Sequence, residues 1–429
     1  MGFATLALIG VAGLAGPLLA AWRGRQVPVV AGELLVGILL GPTLAGWIRP
    51  ADPALALLAN IGFALVMFVA GSHVPVRDPR LRAALGTGAL RAVAVGLLAV
   101  AAGYAVAALF GIAHAALYAV LMASSSAALV LPALGPLDRR GPGAPSHPDV
   151  ASPSSQDAEV PGRSGVASPG RSAGSALALV PQVALADAAC IVALPLAIDP
   201  GRAGTAALGA VAVIGCAALV LLAMRALDRK GLRRRMHRLS QQHKFALELR
   251  VDLTILFALA ALATWTHVSI MLAGFAFGLV MAAVGEPRRL ARQVFGVTEG
   301  FFGPLFFVWL GASLDLRDLG RHPALIGLGV ALGGGAIAVH AAMRATGQPV
   351  AYGVLAAAQL GVPVAAATIG TQLGLLHPGE AAAIVLGALL TVAAAVLAAA
   401  VIRPSQSASS PSATPSPPPV FPELPPASR

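Results

Sequence analysis

The chain is 429 residues long, 57% of them hydrophobic and only 11% charged, with a mean hydropathy of +0.82. A water-soluble protein of this size carries about 25% charged residues, so a soluble globular fold is excluded; with only two cysteines, Cys190 and Cys216, so is a disulfide scaffold. The net charge of +11 comes without an aromatic-interleaved basic patch, which points away from a nucleic-acid partner and leaves the basic residues to report on membrane topology.

Apolar runs of roughly the 20 residues a helix needs to cross hydrocarbon recur along the sequence. In chain order they fall at 3–22, 27–47, 54–72, 84–110 and 113–134, then at 175–198, 204–226, 250–266, 268–284, 299–313, 323–343, 350–376 and 379–402. The prediction is an all-α polytopic membrane protein of about 13 transmembrane helices. Spans 1–5 occupy residues 1–134 and spans 6–13 residues 175–403. Residues 135–174 are rich in Pro, Ser and Gly, with too few apolar side chains for a core, and read as a disordered cytoplasmic insertion. The tail 404–429 is a Pro/Ser-rich segment of the same kind. Neither holds a phosphate-cradling glycine loop, so no nucleotide-binding domain is expected.

The basic residues agree with this count. With the Arg-rich loop 225–249 in the cytoplasm, only Arg49, Arg202, Arg317 and Arg321 of the 29 Lys and Arg fall outside. Arg91 falls within span four, where its long stem allows it to snorkel to the inner surface, and all the rest are inside. The N-terminus is then outside and the C-terminus cytoplasmic. Lys230 and Lys244 are the only lysines. This Arg bias suits a GC-rich bacterial coding sequence and an inner-membrane location.

Span six, "SALALVPQVALADAACIVALPLAI" (175–198), is apolar except for Gln182 and Asp187. A carboxylate near the midpoint of a membrane helix costs several kcal/mol unless it is paired, hydrated or neutralised. Two other spans carry helix-breaking residues: Ser124, Ser125, Ser126 and Pro132 in span five, and "QLGVPVAAATIG" (359–370), which contains Gln359, in span twelve. These lie seven spans apart, so they run in opposite directions through the bilayer. Paired interrupted spans of opposite sense point to a transport site at the midplane.

Five motifs carry a family resemblance. "GELLVGILLGPTLAGWI" (32–48), "ALVMFVAGSHVPVRD" (64–78), "ASSSAALVLPAL" (123–134), "VSIMLAGFAFGLVMA" (268–282) and "FFGPLFFVWLGASLDL" (301–316) appear in the order found in bacterial monovalent cation:proton antiporters. The chain resembles that sodium/hydrogen and potassium/hydrogen exchanger superfamily from about residue 3 to 402, apart from the insertion. The resemblance implies two inverted repeats, two crossing interrupted helices, and a mobile core beside a dimerisation or scaffold domain. It also implies a homodimer in the lipid bilayer that exchanges H+ for Na+ or K+ with no cofactor.

Asp187 matches the family's ion-binding acid and is the group expected to bind the transported cation, with Ser124, Ser125, Ser126 and Gln359 as candidate ion-path or helix-crossing residues. Competition of a proton and a cation for one carboxylate is antiport: the empty anionic site crosses badly and either neutralised form crosses readily. Several family groups are replaced here. Ala186 precedes the acid where a polar residue is common, Gly335 stands near the position of a span-eleven Lys, Gln359-Leu360-Gly361 replaces a charged motif in span twelve, and Ser72-His73 replace an acid at the end of span three. With one titratable group, exchange is expected to be electroneutral. The same departures motivate the alternative of a transport-inactive, channel-like or sensory protein on this fold. An enzyme lacks support, because the sequence shows no metal-spacing cluster and no nucleophile motif.

The remaining candidates each have a plainer role. Asn60 suits an interhelical hydrogen bond, Glu33 an interfacial position or an Arg partner, and His340 an interhelical contact or a proton sensor. Gln182 lies off the Asp187 face. His73 and Arg344 are near span ends, and both cysteines suit small buried positions.

Overall fold

The computed structural model describes residues 2–21, 29–74, 76–77, 79–127, 129–130, 134, 169–230, 247–266, 268–285, 288–314 and 316–402. The tail and most of the insertion and of the basic loop lie outside this set. Among the described residues every regular element is helical. In chain order these are α1 (Phe3–Gly13), α2 (Ala15–Ala21), α3 (Val29–Leu40), α4 (Pro53–Ser72), α5 (Pro79–Phe110) and α6 (Ala115–Ala123). After the insertion come α7 (Pro169–Ile198), α8 (Ala203–Arg229), α9 (Leu247–Trp265), α10 (Ile270–Val284), α11 (Arg288–Val297) and α12 (Gly303–Ser313), with a π-helical turn at Thr298–Phe302 leading into α12. The chain continues through α13 (Leu316–Arg321), α14 (Pro323–Ala341), α15 (Val350–Ala356), α16 (Gly361–Gln372) and α17 (Glu380–Ile402).

Among the described residues eight segments are long and apolar enough to cross a membrane by length and composition: 53–72, 83–110, 177–198, 200–229, 293–313, 323–346, 350–372 and 380–402. Phe3–Leu19 and Ile270–Val284 are shorter apolar helices. The figure of thirteen therefore remains a reading of the sequence. Some expected spans fall short for visible reasons: α3 has 12 residues, α6 stops after 9, and α9 carries Glu248, Arg250 and Asp252. One boundary differs from expectation. Pro169 starts α7 inside the segment read as irregular, consistent with the preference of proline for the first helical position, where no N–H is needed.

Packing divides the helices into two bundles. α1, α2, α3, α4, α10 and α12 contact one another, as do α5, α6, α7, α14, α15, α16 and α17, while α8 touches both α10 and α7. Glycine pairs set two crossings of the first bundle. A Cβ on Gly37 of α3 would lie 3.0 Å from the Gly311 Cα of α12, and one on Gly311 equally close to Gly37. The same reciprocal contact joins Gly71 of α4 and Gly278 of α10, at 3.1 and 2.9 Å. Small residues let membrane helices approach to backbone distance, which explains one glycine in each of four of the five sequence motifs. Numbered as expected spans, the crossings pair two with ten and three with nine, as an inverted repeat offset by seven spans requires.

The second bundle holds both interrupted helices. α6 ends at Ala123, residues 124–126 are extended or irregular, and helix resumes at Ala127. The Ser126 carbonyl accepts from Leu129 N at 3.1 Å and Val130 N at 3.0 Å, so Ser126 caps the second half. Serine hydroxyls compete with the helix ladder for backbone partners. α15 likewise stops at Ala356 and α16 starts at Gly361. Pro363 is tolerated in its first turn, where no intrahelical donor is required.

Candidate functional site

The two breaks meet in space. Ser124 Oγ is hydrogen-bonded to the Gln359 side-chain amide, and Ser125 Oγ donates to the Ala356 carbonyl left free at the end of α15. The crossing is buried: Ser124 is 0% exposed, Ser125 2%, Ser126 5% and Gln359 3%. Gln359 N donates to Thr391 Oγ1 of α17 at 3.3 Å, tying the second break to a third helix.

Asp187 stands at this crossing. It is 6% exposed, and Ala127 N, the first amide of the second half-helix, donates to its Oδ2 at 3.1 Å. The positive end of a helix thus faces the acid. The sequence placed Asp187, the serines and Gln359 on three separate spans; the structure brings all of them together.

His340 joins them. Its Nδ1 is 2.9 Å from the Ala336 carbonyl, which only accepts, so the ring proton lies on Nδ1. Nε2 is 3.4 Å from Ser125 Oγ. Gly335, one turn earlier, faces the Met122 side chain of α6, whose Cε would be 2.8 Å from an added Cβ.

The other candidates separate from the crossing. Gln182 is 1% exposed, and neither end of its amide has a hydrogen-bond partner. Glu33 departs from its expected interfacial or Arg-paired position: it is 3% exposed and no Arg pairs with it among the described residues. The close approach of α2 buries it, a Cβ on Gly16 lying 3.0 Å from its Cγ. Arg91 reaches the connection that follows α14. It is 5% exposed, with Nε 3.0 Å from Thr346 Oγ1 and Nη2 3.3 Å from the Thr346 carbonyl. His73 is exposed at the end of α4, with Nδ1 2.9 Å from the Val69 carbonyl, and Arg344 is exposed. Cys190 is buried, Cys216 half-buried, and both are free thiols.

Asn60 lines a cavity of about 250 Å3 between the two bundles, with Pro195, Thr205, Ser269, Thr368 and Gln372. Pro195 lies eight residues along α7 from Asp187, about 12 Å at the α-helical rise. The cavity thus opens on the same helix as the acid.

A polar cluster around Glu380 escaped the sequence reading. Glu380 is 0% exposed, although it is the first residue of α17. Tyr118 Oη, His114 Nδ1 and the His377 backbone N–H donate to its carboxylate at 2.7, 2.8 and 2.9 Å. The only signal in the sequence is an acid beside a histidine at a span boundary, which solvated loop ends share.

Two crossed, interrupted helices with a buried carboxylate against one half-helix end are the construction of an ion-coupled membrane transporter. The sequence comparisons make the class specific. A family profile described as "Sodium/hydrogen exchanger, transmembrane" matches residues 6–141 and 182–404. The chain belongs to that family, which is one of secondary transporters and not of enzymes. Two short local matches are to the Na(+)/H(+)-K(+) antiporter GerN of Bacillus cereus and the Na(+)/H(+) antiporter NhaS4 of Synechocystis sp.. The first is 41% identical over 51 residues, covering 12% of this chain and 13% of that protein. The second is 41% identical over 76 residues, covering 15% and 18%. The matched stretches therefore span well under two thirds of either relative. The fold is similar to that of the sodium proton antiporter MjNhaP1 from Methanocaldococcus jannaschii, with a TM-score of 0.58 at 15% identity over 94% of this chain and 97% of that one.

Proposed function

We propose that this multi-pass membrane protein is a secondary antiporter that exchanges protons for Na+ or K+ through Asp187. The observation that carries the reading is the Asp187 carboxylate held at 3.1 Å by the Ala127 N–H, at the crossing of two interrupted helices. The acid takes either a proton or a cation. In each case its charge is neutralised, and in that form the site is carried past the buried barrier. The serine hydroxyls and the Gln359 amide supply oxygens at the crossing, where backbone carbonyls freed by the breaks add to the set suited to a hard monovalent cation.

Movement of the second bundle against the first, across the cavity lined by Asn60 and Pro195, gives alternating access. Exchange through one carboxylate is one proton for one cation and hence electroneutral. The protein works in a bacterial inner membrane, as a homodimer.

The test is cation-induced collapse of a proton gradient in everted vesicles, read with a pH-sensitive dye, for wild type and Asp187→Asn with Na+ and with K+. The wild type collapses the gradient and the variant does not. A wild type that is inserted and silent with both cations favours a transport-inactive protein on this fold. Activity surviving in Asp187→Asn overturns the role of the acid.

A further inference from the structure

The Glu380 cluster does no work in that scheme, and its geometry is specific. An ionised carboxylate only accepts, so His114 carries its proton on Nδ1, 2.8 Å from Glu380 Oε1. Its Nε2 therefore bears a lone pair. The His377 ring is exposed, and its centroid is 5.8 Å from that of His114 with a 36° tilt. Among the described residues neither His114 Nε2 nor the His377 ring has a hydrogen-bond partner. Two imidazoles bound to one Zn2+ at about 2.0–2.1 Å place their ring centres roughly 5–6 Å apart.

We propose that His114 and His377 form a binding site for a divalent transition-metal ion of the Zn2+, Co2+ or Ni2+ type. Imidazole nitrogens suit these ions. A carboxylate behind a ligating histidine fixes its tautomer and raises its basicity, which is the arrangement of Glu380 behind His114. Among the described residues no three His, Cys, Asp or Glu side chains converge to hold a metal. Glu380 accordingly orients and does not ligate: both its oxygens already accept hydrogen bonds. Water completes the coordination. The ion would bridge the start of α6 to the connection between α16 and α17.

The test uses the full-length protein in detergent with any affinity tag removed, titrated with Co2+ and followed by its d–d absorption, then with Zn2+ by calorimetry. One ion binds to the wild type. Binding is lost in His377→Ala, an exposed position whose replacement leaves thermal unfolding unchanged, and it returns in His377→Cys with a thiolate charge-transfer band. Glu380→Gln weakens binding about 10- to 100-fold. A wild type that binds neither ion, or a His377→Ala protein that binds both as the wild type does, overturns the assignment. The readout is metal binding and not transport, so it is independent of the role of Asp187.

Discussion

The Ala127 amide and the Asp187 carboxylate are 60 residues apart in the chain and 3.1 Å apart in space. The bond joins an acid in a continuous helix to the freshly started half of an interrupted one. It exists because Ser124, Ser125 and Ser126 interrupt the helix between the end of α6 at Ala123 and its restart at Ala127. In an unbroken helix the Ala127 N–H would be committed to the carbonyl four residues back.

Replacing Ala127 by Pro tests this bond with little damage, since the first helical position tolerates proline. The variant should unfold at the wild-type temperature. A charge-assisted hydrogen bond is worth about 1.5–3 kcal/mol. Without it the carboxylate holds its proton against the cation more strongly. Apparent Na+ or K+ affinity at fixed pH should therefore fall about 10- to 100-fold, measured from the cation dependence of dye recovery in everted vesicles. An unchanged affinity would mean that the amide does not tune ion competition.

Much of this site was legible in the sequence because its signals are local. An acid in an apolar span is conspicuous, and so is a serine triplet that breaks a helix. Glu33 and Glu380 were not legible in the same way. Both lie near span ends, where carboxylates usually meet water or lipid headgroups, and their burial comes from α2 and α6, which no local pattern brings to them. His340 was visible as a residue, but its contact with Ser125 depends on how α14 packs against α6.

Pro195 provides a second test. Having no N–H, it leaves the Ile191 carbonyl without its helical partner. Ile191 is one turn beyond Asp187 on the same face of α7, and Pro195 itself lines the cavity between the bundles. Pro195→Ala restores the donor and ties the carbonyl up. The variant should gain thermal stability and show a several-fold weaker apparent cation affinity in the same vesicle assay. Higher stability with unchanged affinity would reduce Pro195 to a kink.

The reciprocal glycine contacts predict a sharp contrast among alanine substitutions. In Gly37→Ala the new methyl would land on the Val308 carbonyl and lie 3.0 Å from the Gly311 Cα; in Gly278→Ala it would meet the Phe68 carbonyl and the Gly71 Cα at 2.9 Å. These obstacles are backbone, which cannot rotate away, so each change should cost about 1–3 kcal/mol. Gly215 of α8 has nothing within 4 Å of an added Cβ, and Gly215→Ala should be neutral or stabilising by up to about 1 kcal/mol. Thermal unfolding in detergent ranks the three. Equal behaviour would show that the crossings are looser than backbone contact.

The charge carried per cycle rests on His340. Ser125 has one hydroxyl proton and gives it to the Ala356 carbonyl, while His340 spends its Nδ1 proton on Ala336. Nε2 then faces Ser125 Oγ at 3.4 Å with no proton between them. If that nitrogen stays bare throughout the cycle, Asp187 alone titrates and one cation leaves for each proton. Exchange in proteoliposomes should then ignore an imposed potential. One uncompensated charge would instead shift the equilibrium by about 2.3 kcal/mol per 100 mV, roughly 50-fold. If the potential does drive exchange, and the dependence disappears in His340→Gln while cation coupling persists, then Nε2 takes up a proton in the cycle. The crossing would in that case carry two titratable groups, with His340 supplying a positive charge beside the exposed carbonyl ends of α6 and α15.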